Sequence, residues 1–343
     1  MKKIFILFIL AAIILMSIGS FVSCAAKEAA PAKVVTLRLS GPWPPGDPVT
    51  DQLQGLVDKF NKQAAGKYQI ALHPGSELVK IPESVDAVRT GAIEICGWPI
   101  GVFGSIDPRF AAAELPFAAN NVEADAAMAV TLLPKYSAFM EEKFNCKAVF
   151  SFTCLALDVL STKPVKTVAD WKGLLVQAVS PQASKFIESL GGAPVPMDFP
   201  EAYQALQKKV VDATMQSSSM MIMFKLNEVA KYVTRGYLVP ASIIIAINLD
   251  TYKAMPKDIQ NALVDAGKQQ QKEANDFFIK VAQENTTTLT KMGIDVYSLP
   301  KAERDKWQAM VQPYTDSLIS AMGDFGKDVL KASDDANKKY PYK

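Results

Sequence analysis

The 343-residue chain reads as an α/β protein of two domains tied together by one long helix. Three observations predict this. Strand and helix patterns alternate, break off and alternate again, which builds parallel or mixed sheets with helices on their faces. The length supports two domains, each with its own core. Residues 257–291 hold no proline and one glycine, Gly267. A helix of that length spans about 52 Å, more than one small domain, so it should cross both.

The elements follow in order. Residues 34–39 (VVTLRL) form a β-branched strand that stops at Gly41-Pro42. From Thr50 a helix carries Leu53, Leu56, Val57 and Phe60 on one face and ends at Gly66. Residues 68–72 give a second strand, stopped by Pro74-Gly75. Residues 82–90 give a short helix closed by Gly91, and residues 93–96 a third strand. After a break, residues 148–152 and 157–160 read as extended. A strand at 174–178, a helix at 181–190, a strand at 193–195 and a helix at 200–207 follow. Residues 243–247 (IIIAI) are apolar without interruption, which suits a strand covered on both faces. After the long helix, a turn at 298–300 and further helices over 303–336 are expected on the outside.

The N-terminus reads as an export signal. Lys2 and Lys3 precede an apolar run from Ile4 to Met16, too short to span a bilayer comfortably. Phe21-Val22-Ser23-Cys24 resembles a bacterial lipobox, which makes Cys24 the lipidated first residue of the mature protein. An ordinary cleaved signal or an uncleaved anchor would equally place the body outside the cytoplasm. Residues 25–33 (AAKEAAPAK) read as a polar tether. Loss of Lys2 and Lys3 cancels the formal +2 charge, which leaves no electrostatic footprint for nucleic acid.

Chemistry-bearing motifs are scarce. Cys96, Cys146 and Cys154 match no zinc spacing and suit buried packing; one bridge among them is possible, and a Cys96–Cys154 bridge is conceivable. The single histidine, His73, precedes a Pro-Gly turn without partners in motif spacing. Ser298-Leu299-Pro300-Lys301 has the Ser-x-x-Lys form without its companion motifs and reads as chance. The chain is therefore expected to be no enzyme and to need no cofactor or metal. Trp43 and Trp98 follow the first and third strands, each flanked by Gly or Pro. There they fit either a cleft wall or plain core.

Residues 87–96 (AVRTGAIEIC), Glu114-Leu115-Pro116-Phe117, residues 161–173 (STKPVKTVADWKG), residues 201–212 (EAYQALQKKVVD), residues 227–234 (NEVAKYVT) and residues 255–260 (MPKDIQ) together resemble the DctP-type solute-binding proteins of TRAP transporters, with residues 227–234 resembling the family's helix end. The resemblance implies a periplasmic-binding-protein-like, Venus-flytrap fold with a long domain-spanning helix. It places residues 34–154 and 242–281 in one domain and residues 155–241 and 282–343 in the other. It also implies capture of a small organic solute and delivery to TRAP membrane subunits, or signalling to a sensor partner. The body would stand in the periplasm or on the outer face of the cytoplasmic membrane, lipid-anchored and monomeric.

The resemblance also implies site residues. The family's carboxylate-clamping arginine falls at Gln177, a departure. A second frequent arginine falls at Leu157. Phe199 keeps an aromatic, Gln216 stands at an asparagine position, and Tyr237 at a histidine or aromatic position. Trp98 and Pro99 fall where the first domain offers a contact, with Trp43 nearby. A buried carboxylate without a paired cation faces a desolvation cost of several kcal/mol. Gln177 and Gln216 offer uncharged amides, which favours a neutral, weakly acidic or aromatic ligand, whereas the family favours an organic acid. Met215, Met220, Met221 and Met223 crowd the segment after Asp212 and read as core or as an adaptable pocket wall.

Overall fold

A computed structural model describes residues 34–64 and 66–343. The expected signal, Cys24 and the tether lie outside the described residues. Val35–Lys343 form one compact unit.

The first sheet has the order β2-β1-β3-β10-β4. Its strands are β1 (Val35–Ser40), β2 (Tyr68–His73), β3 (Ile95–Pro99), β4 (Cys146–Thr153) and β10 (Ser242–Asn248). β1 pairs in parallel with β2 and β3, and β10 runs antiparallel to β3 and β4. Every residue of β10 is buried, as its unbroken isoleucine run requires. The helices α1 (Pro48–Gln63), α2 (Ile81–Thr90) and α3 (Val122–Phe144) belong to this layer. α1 starts two residues before the expected Thr50, because Asp47 caps it through the Val49 amide.

The second sheet has the order β11-β9-β5-β8-β6-β7. Its strands are β5 (Leu157–Ser161), β6 (Leu175–Ala178), β7 (Ala193–Pro196), β8 (Ala213–Gln216), β9 (Tyr232–Val239) and β11 (Asp295–Ser298). Around it lie α4 (Pro181–Ser189), α5 (Ala202–Gln207), α6 (Ser218–Met223) and α9 (Lys301–Ala321). One face packs Val159, Val176 and Met215 against α4 and α9 through Phe186, Trp307 and Val311. The other packs Leu160 and Val233 against Leu206, Met221 and Leu289. The segment 227–234 is a helix end only in its first half: Asn227 and Glu228 close the 3-10 helix Leu226–Glu228, and Tyr232–Thr234 open β9. The β-branched pair Val233-Thr234 suits that extended ladder.

The chain crosses between the sheets at two adjacent places. β4 passes to β5 through residues 154–156, and β9 passes to β10 through residues 240–241. β4 and β10 are neighbours in the first sheet, and β5 and β9 are neighbours in the second. The crossings therefore run side by side, and the Cys154 amide donates to the Ala241 carbonyl at 2.9 Å. This ribbon has the form of a hinge between two lobes.

After α7 (Leu249–Ala254), the helix α8 (Lys257–Lys291) runs along both lobes. It packs Ile259, Leu263 and Phe278 into the first core and Leu289 into the second. Gly267 lets it lie directly on β4, because a Cβ there would meet the Val149 carbonyl oxygen at 3.0 Å. The last helix, α10 (Asp324–Lys339), packs on α3: Phe325 lies edge-on to Tyr136 and Phe139, with centroids 5.3 and 5.5 Å away. That part of 282–343 thus lies with the first sheet and not, as the sequence grouped it, with the second. Its apolar stripe meets the buried face of α3, which the sequence reading did not find.

Candidate functional site

Gln177 is buried in β6 between Val176 and Ala178, which face α4 and α9. The strand period of two turns its side chain to the opposite face, beside Thr214 and Gln216 of β8. Its Nε2 donates to the carbonyls of Met197 at 3.0 Å and Asp198 at 3.1 Å. Its Oε1 accepts the Thr214 hydroxyl and, at 3.1 Å, Gln216 Nε2. Both donors and both lone pairs are thus engaged within the protein.

This network fixes the direction of Gln216. Met197 and Asp198 present carbonyls, so the Gln177 amide has one satisfying orientation and turns its oxygen toward Gln216. Gln216 then has to present its Nε2, which also lies 3.5 Å from the Phe199 carbonyl. Gln216 Oε1 is left buried with no hydrogen-bond partner among the described residues. A buried acceptor without a donor is costly, and a ligand N–H or O–H would relieve that cost.

Gln177, Phe199 and Gln216 therefore stand together in the second lobe. The other positions named from sequence lie elsewhere. Leu157 opens β5 and packs in the core beside α4 and α9. Trp43, Trp98 and Pro99 belong to the first lobe. Trp43 lies over Gly97, and Trp98 turns to the other face, edge-on to Phe103 at 5.9 Å. From Phe103 the aromatic contacts continue to Phe110 and Phe139, so Trp98 is a core residue whose Nε1 finds no partner among the described residues. Pro99 is half-buried and paired with Ile243. Met215 and Met221 are core, while Met223 is exposed. Cys96, Cys146 and Cys154 are free thiols.

Three polar residues that the sequence reading left out of the site join the lobes. Glu114 ends the 3-10 helix Pro108–Glu114 of the first lobe and accepts the Ser180 hydroxyl of the second lobe at 2.7 Å. Burial pushes its carboxyl up to about 7, against the opposing Ser180 bond. Asp125, in α3, accepts from Thr153 Oγ1 at 2.6 Å, Tyr237 OH at 3.0 Å and Ser242 Oγ at 3.4 Å. Burial pushes Asp125 up to about 6, while its three hydroxyl donors act the other way. Ser180 had a signal, since a serine before Pro181 marks a helix start, and it caps α4 through the Ala183 amide. Asp125 had none, because it sits in an alanine-rich run.

A groove of about 480 Å³ opens beside the hinge, where Asn120, Asn121 and Glu123 face Asp158, Arg235 and Tyr237. Among the named positions, only Tyr237 lines it. Asp158 is the register partner of Gln216, so the groove lies one strand away from the Gln177–Gln216 pair.

Residues 39–321 match DctP, the bacterial extracellular solute-binding protein family 7. The chain belongs to this family. It is 26% identical over 308 residues to the C4-dicarboxylate-binding periplasmic protein DctP of Rhodobacter capsulatus, covering 85% of this chain and 89% of that protein. It is 24% identical over 304 residues to the 2,3-diketo-L-gulonate-binding periplasmic protein YiaO of Escherichia coli, covering 83% of this chain and 88% of that one. Its fold is also that of a Bordetella pertussis extracytoplasmic solute receptor binding pyroglutamic acid. That likeness has a TM-score of 0.81 at 22% identity and covers 88% of this chain and 100% of the other. The two sheets, the paired crossings and the long helix are thus the architecture of a DctP-family solute-binding protein. Among the described residues, no helix is long and apolar enough to cross a membrane.

Proposed function

We propose that this DctP-family protein is the lipid-anchored extracytoplasmic receptor of a TRAP transporter. It takes a small organic acid, or a ring compound of similar size, between its lobes and delivers it to the membrane subunits. Cys24 carries the lipid, and the tether lets the body reach its partner. Two lobes on a two-strand hinge suit a ligand that touches both and so favours their approach.

The observation that carries the ligand reading is the Gln216 Oε1 acceptor, aimed by a saturated Gln177. Where a charged clamp would select carboxylate, this pair selects a hydrogen-bond donor: a lactam N–H, a ring N–H or a hydroxyl. The relatives' ligands support an acid. Pyroglutamic acid in the Bordetella pertussis receptor and orotic acid in a Desulfovibrio salexigens protein both combine a carboxyl with ring N–H groups. Phe199 and Tyr237, with Trp43 and Pro99 from the first lobe, complete the proposed contact set, whereas Leu157 and Trp98 are core.

A thermal-shift screen of the body from Val34 tests this with pyroglutamate, orotate, C4-dicarboxylates and polyols. Only ligands that bind the native state raise the midpoint. The expected hit carries an N–H or O–H donor, and its affinity falls about tenfold or more in Gln216→Leu. A hit among simple dicarboxylates that is indifferent to Gln216→Leu would overturn the donor-selection reading.

A further inference from the structure

The two crossings between the lobes converge on one side chain. Thr153 is the last residue of β4 before the first crossing, and Ser242 is the first residue of β10 after the second. Asp125 binds both of their hydroxyls, at 2.6 and 3.4 Å. Its third donor, Tyr237 OH at 3.0 Å, comes from β9 on the far side of the second crossing. The same phenol lies 3.3 Å from Thr153 Oγ1. Tyr237 holds a left-handed backbone at φ 51°, a conformation that costs a non-glycine residue energy and lasts where its surroundings enforce it. The elements around Asp125 supply hydroxyl groups, Tyr136 of its own helix and the Cys154 thiol, and no cation pairs with its carboxylate among the described residues.

We propose that Asp125 is the positioning residue of the hinge, whose bond to Tyr237 sets the angle between the lobes and is released when they part. The first-lobe ends of both crossings are tied to α3 through Asp125. Rotation of the second lobe about residues 154–156 and 240–241 therefore moves Tyr237 away from a fixed carboxylate. No other described contact joins both crossings and both lobes through one group. The inference rests on the receptor reading only in assuming that the lobes move.

Spin labels on the exposed Lys62→Cys and Lys208→Cys, one per lobe, report the interlobe distance without any solute. Tyr237→Phe removes one hydroxyl and keeps the ring. It is expected to shift the distance distribution toward longer values with little change in thermal midpoint. Asp125→Asn, which keeps one acceptor, is expected to give a smaller shift in the same direction. A distribution unchanged in Tyr237→Phe overturns the proposal, as does a loss of midpoint without any change in distance. The receptor reading has a separate arm. A parent distance that ignores pyroglutamate, orotate and dicarboxylates alike, yet moves in Tyr237→Phe, upholds the hinge role and counts against solute capture.

Discussion

Glu114 of the first lobe accepts the Ser180 hydroxyl of the second at 2.7 Å, and it does so fully buried with no cation beside it among the described residues. Ser180 Oγ in turn accepts the Ala183 amide at 3.1 Å and caps α4. The helix start and the interlobe contact are thus one structure. An ionised Glu114 is held there by this hydroxyl and by favourable placement near a helix N-terminus, against a larger desolvation cost.

The consequence is a pH dependence of definite sign. The carboxyl is raised from 4.5 to about 7 in the folded protein. The folded state therefore binds this proton more tightly than the unfolded state does. The associated stability is fully present below pH 4.5 and is lost as pH rises through about 7, up to about 3 kcal/mol in all. Asp125, raised from 3.8 to about 6, adds a loss of the same sign at lower pH. Urea unfolding of the parent and of Glu114→Gln at about pH 5, 6, 7 and 8 separates the two. The variant should gain on the parent as pH rises. A difference that stays flat across this range would mean that Glu114 ionises freely in the folded protein.

Gly104 makes a second contact between the lobes. A Cβ there would stand 2.3 Å from Gln182 Nε2 and 3.0 Å from the Ala111 methyl. Gln182 is buried in α4, so its amide has to repack within the interface rather than turn out to solvent. Gly104→Ala should destabilise by about 1–3 kcal/mol through overpacking. Gly104→Ala with Gln182→Ala should recover part of that loss, giving a non-additive cycle by thermal or urea melts. Strict additivity would show that the two residues do not press on each other.

Much of the fold is legible because its signals are local. Pro256 and Gly293 bracket α8, and the apolar run of β10 shows its burial on both faces. α3 escaped because its alanines, Asp125 and Pro134 blur the helical period, and Asp125 is tolerable there only with Thr153, Tyr237 and Ser242 supplied from far along the chain. β9 is hidden because its motif begins with the end of a 3-10 helix, Leu226–Glu228, only a few residues before the strand. The position of Gln177 at a strand end follows from its neighbours. Its saturation does not, because Met197, Asp198, Thr214 and Gln216 reach it only through the pairing of β6 with β7 and β8.

The C-terminal tail closes the outer side of the hinge, and its removal should loosen it. Asn121 caps α3 with its Oδ1 and gives its Nδ2 to the carbonyls of Tyr340 at 3.3 Å and Pro341 at 3.2 Å. Tyr342 OH then donates to the Leu299 carbonyl at 2.5 Å, beside the second sheet. Its ring lies 4.6 Å from the Arg304 guanidinium, with Phe117 also within cation–π range of that group at 4.9 Å. Arg304 is buried and bonds one carbonyl from each lobe, Ala119 at 3.0 Å and Gly236 at 2.8 Å. Burial pushes the Arg304 guanidinium below its ordinary pKa, opposed by the nearby Asp305 and Asp158 carboxylates, and the carbonyls and aromatic faces help make a charged guanidinium tolerable there. Deleting residues 340–343 removes one of those faces and two of the tail's backbone bonds to Asn121. A loss of about 1–2 kcal/mol is expected, with faster hydrogen exchange at Gly236 and in residues 119–121. Tyr342→Ala should reproduce most of this if the ring over Arg304 is the main contribution. Equal exchange at Gly236 in the truncated and parent proteins would show that Arg304 keeps the outer hinge closed without the tail.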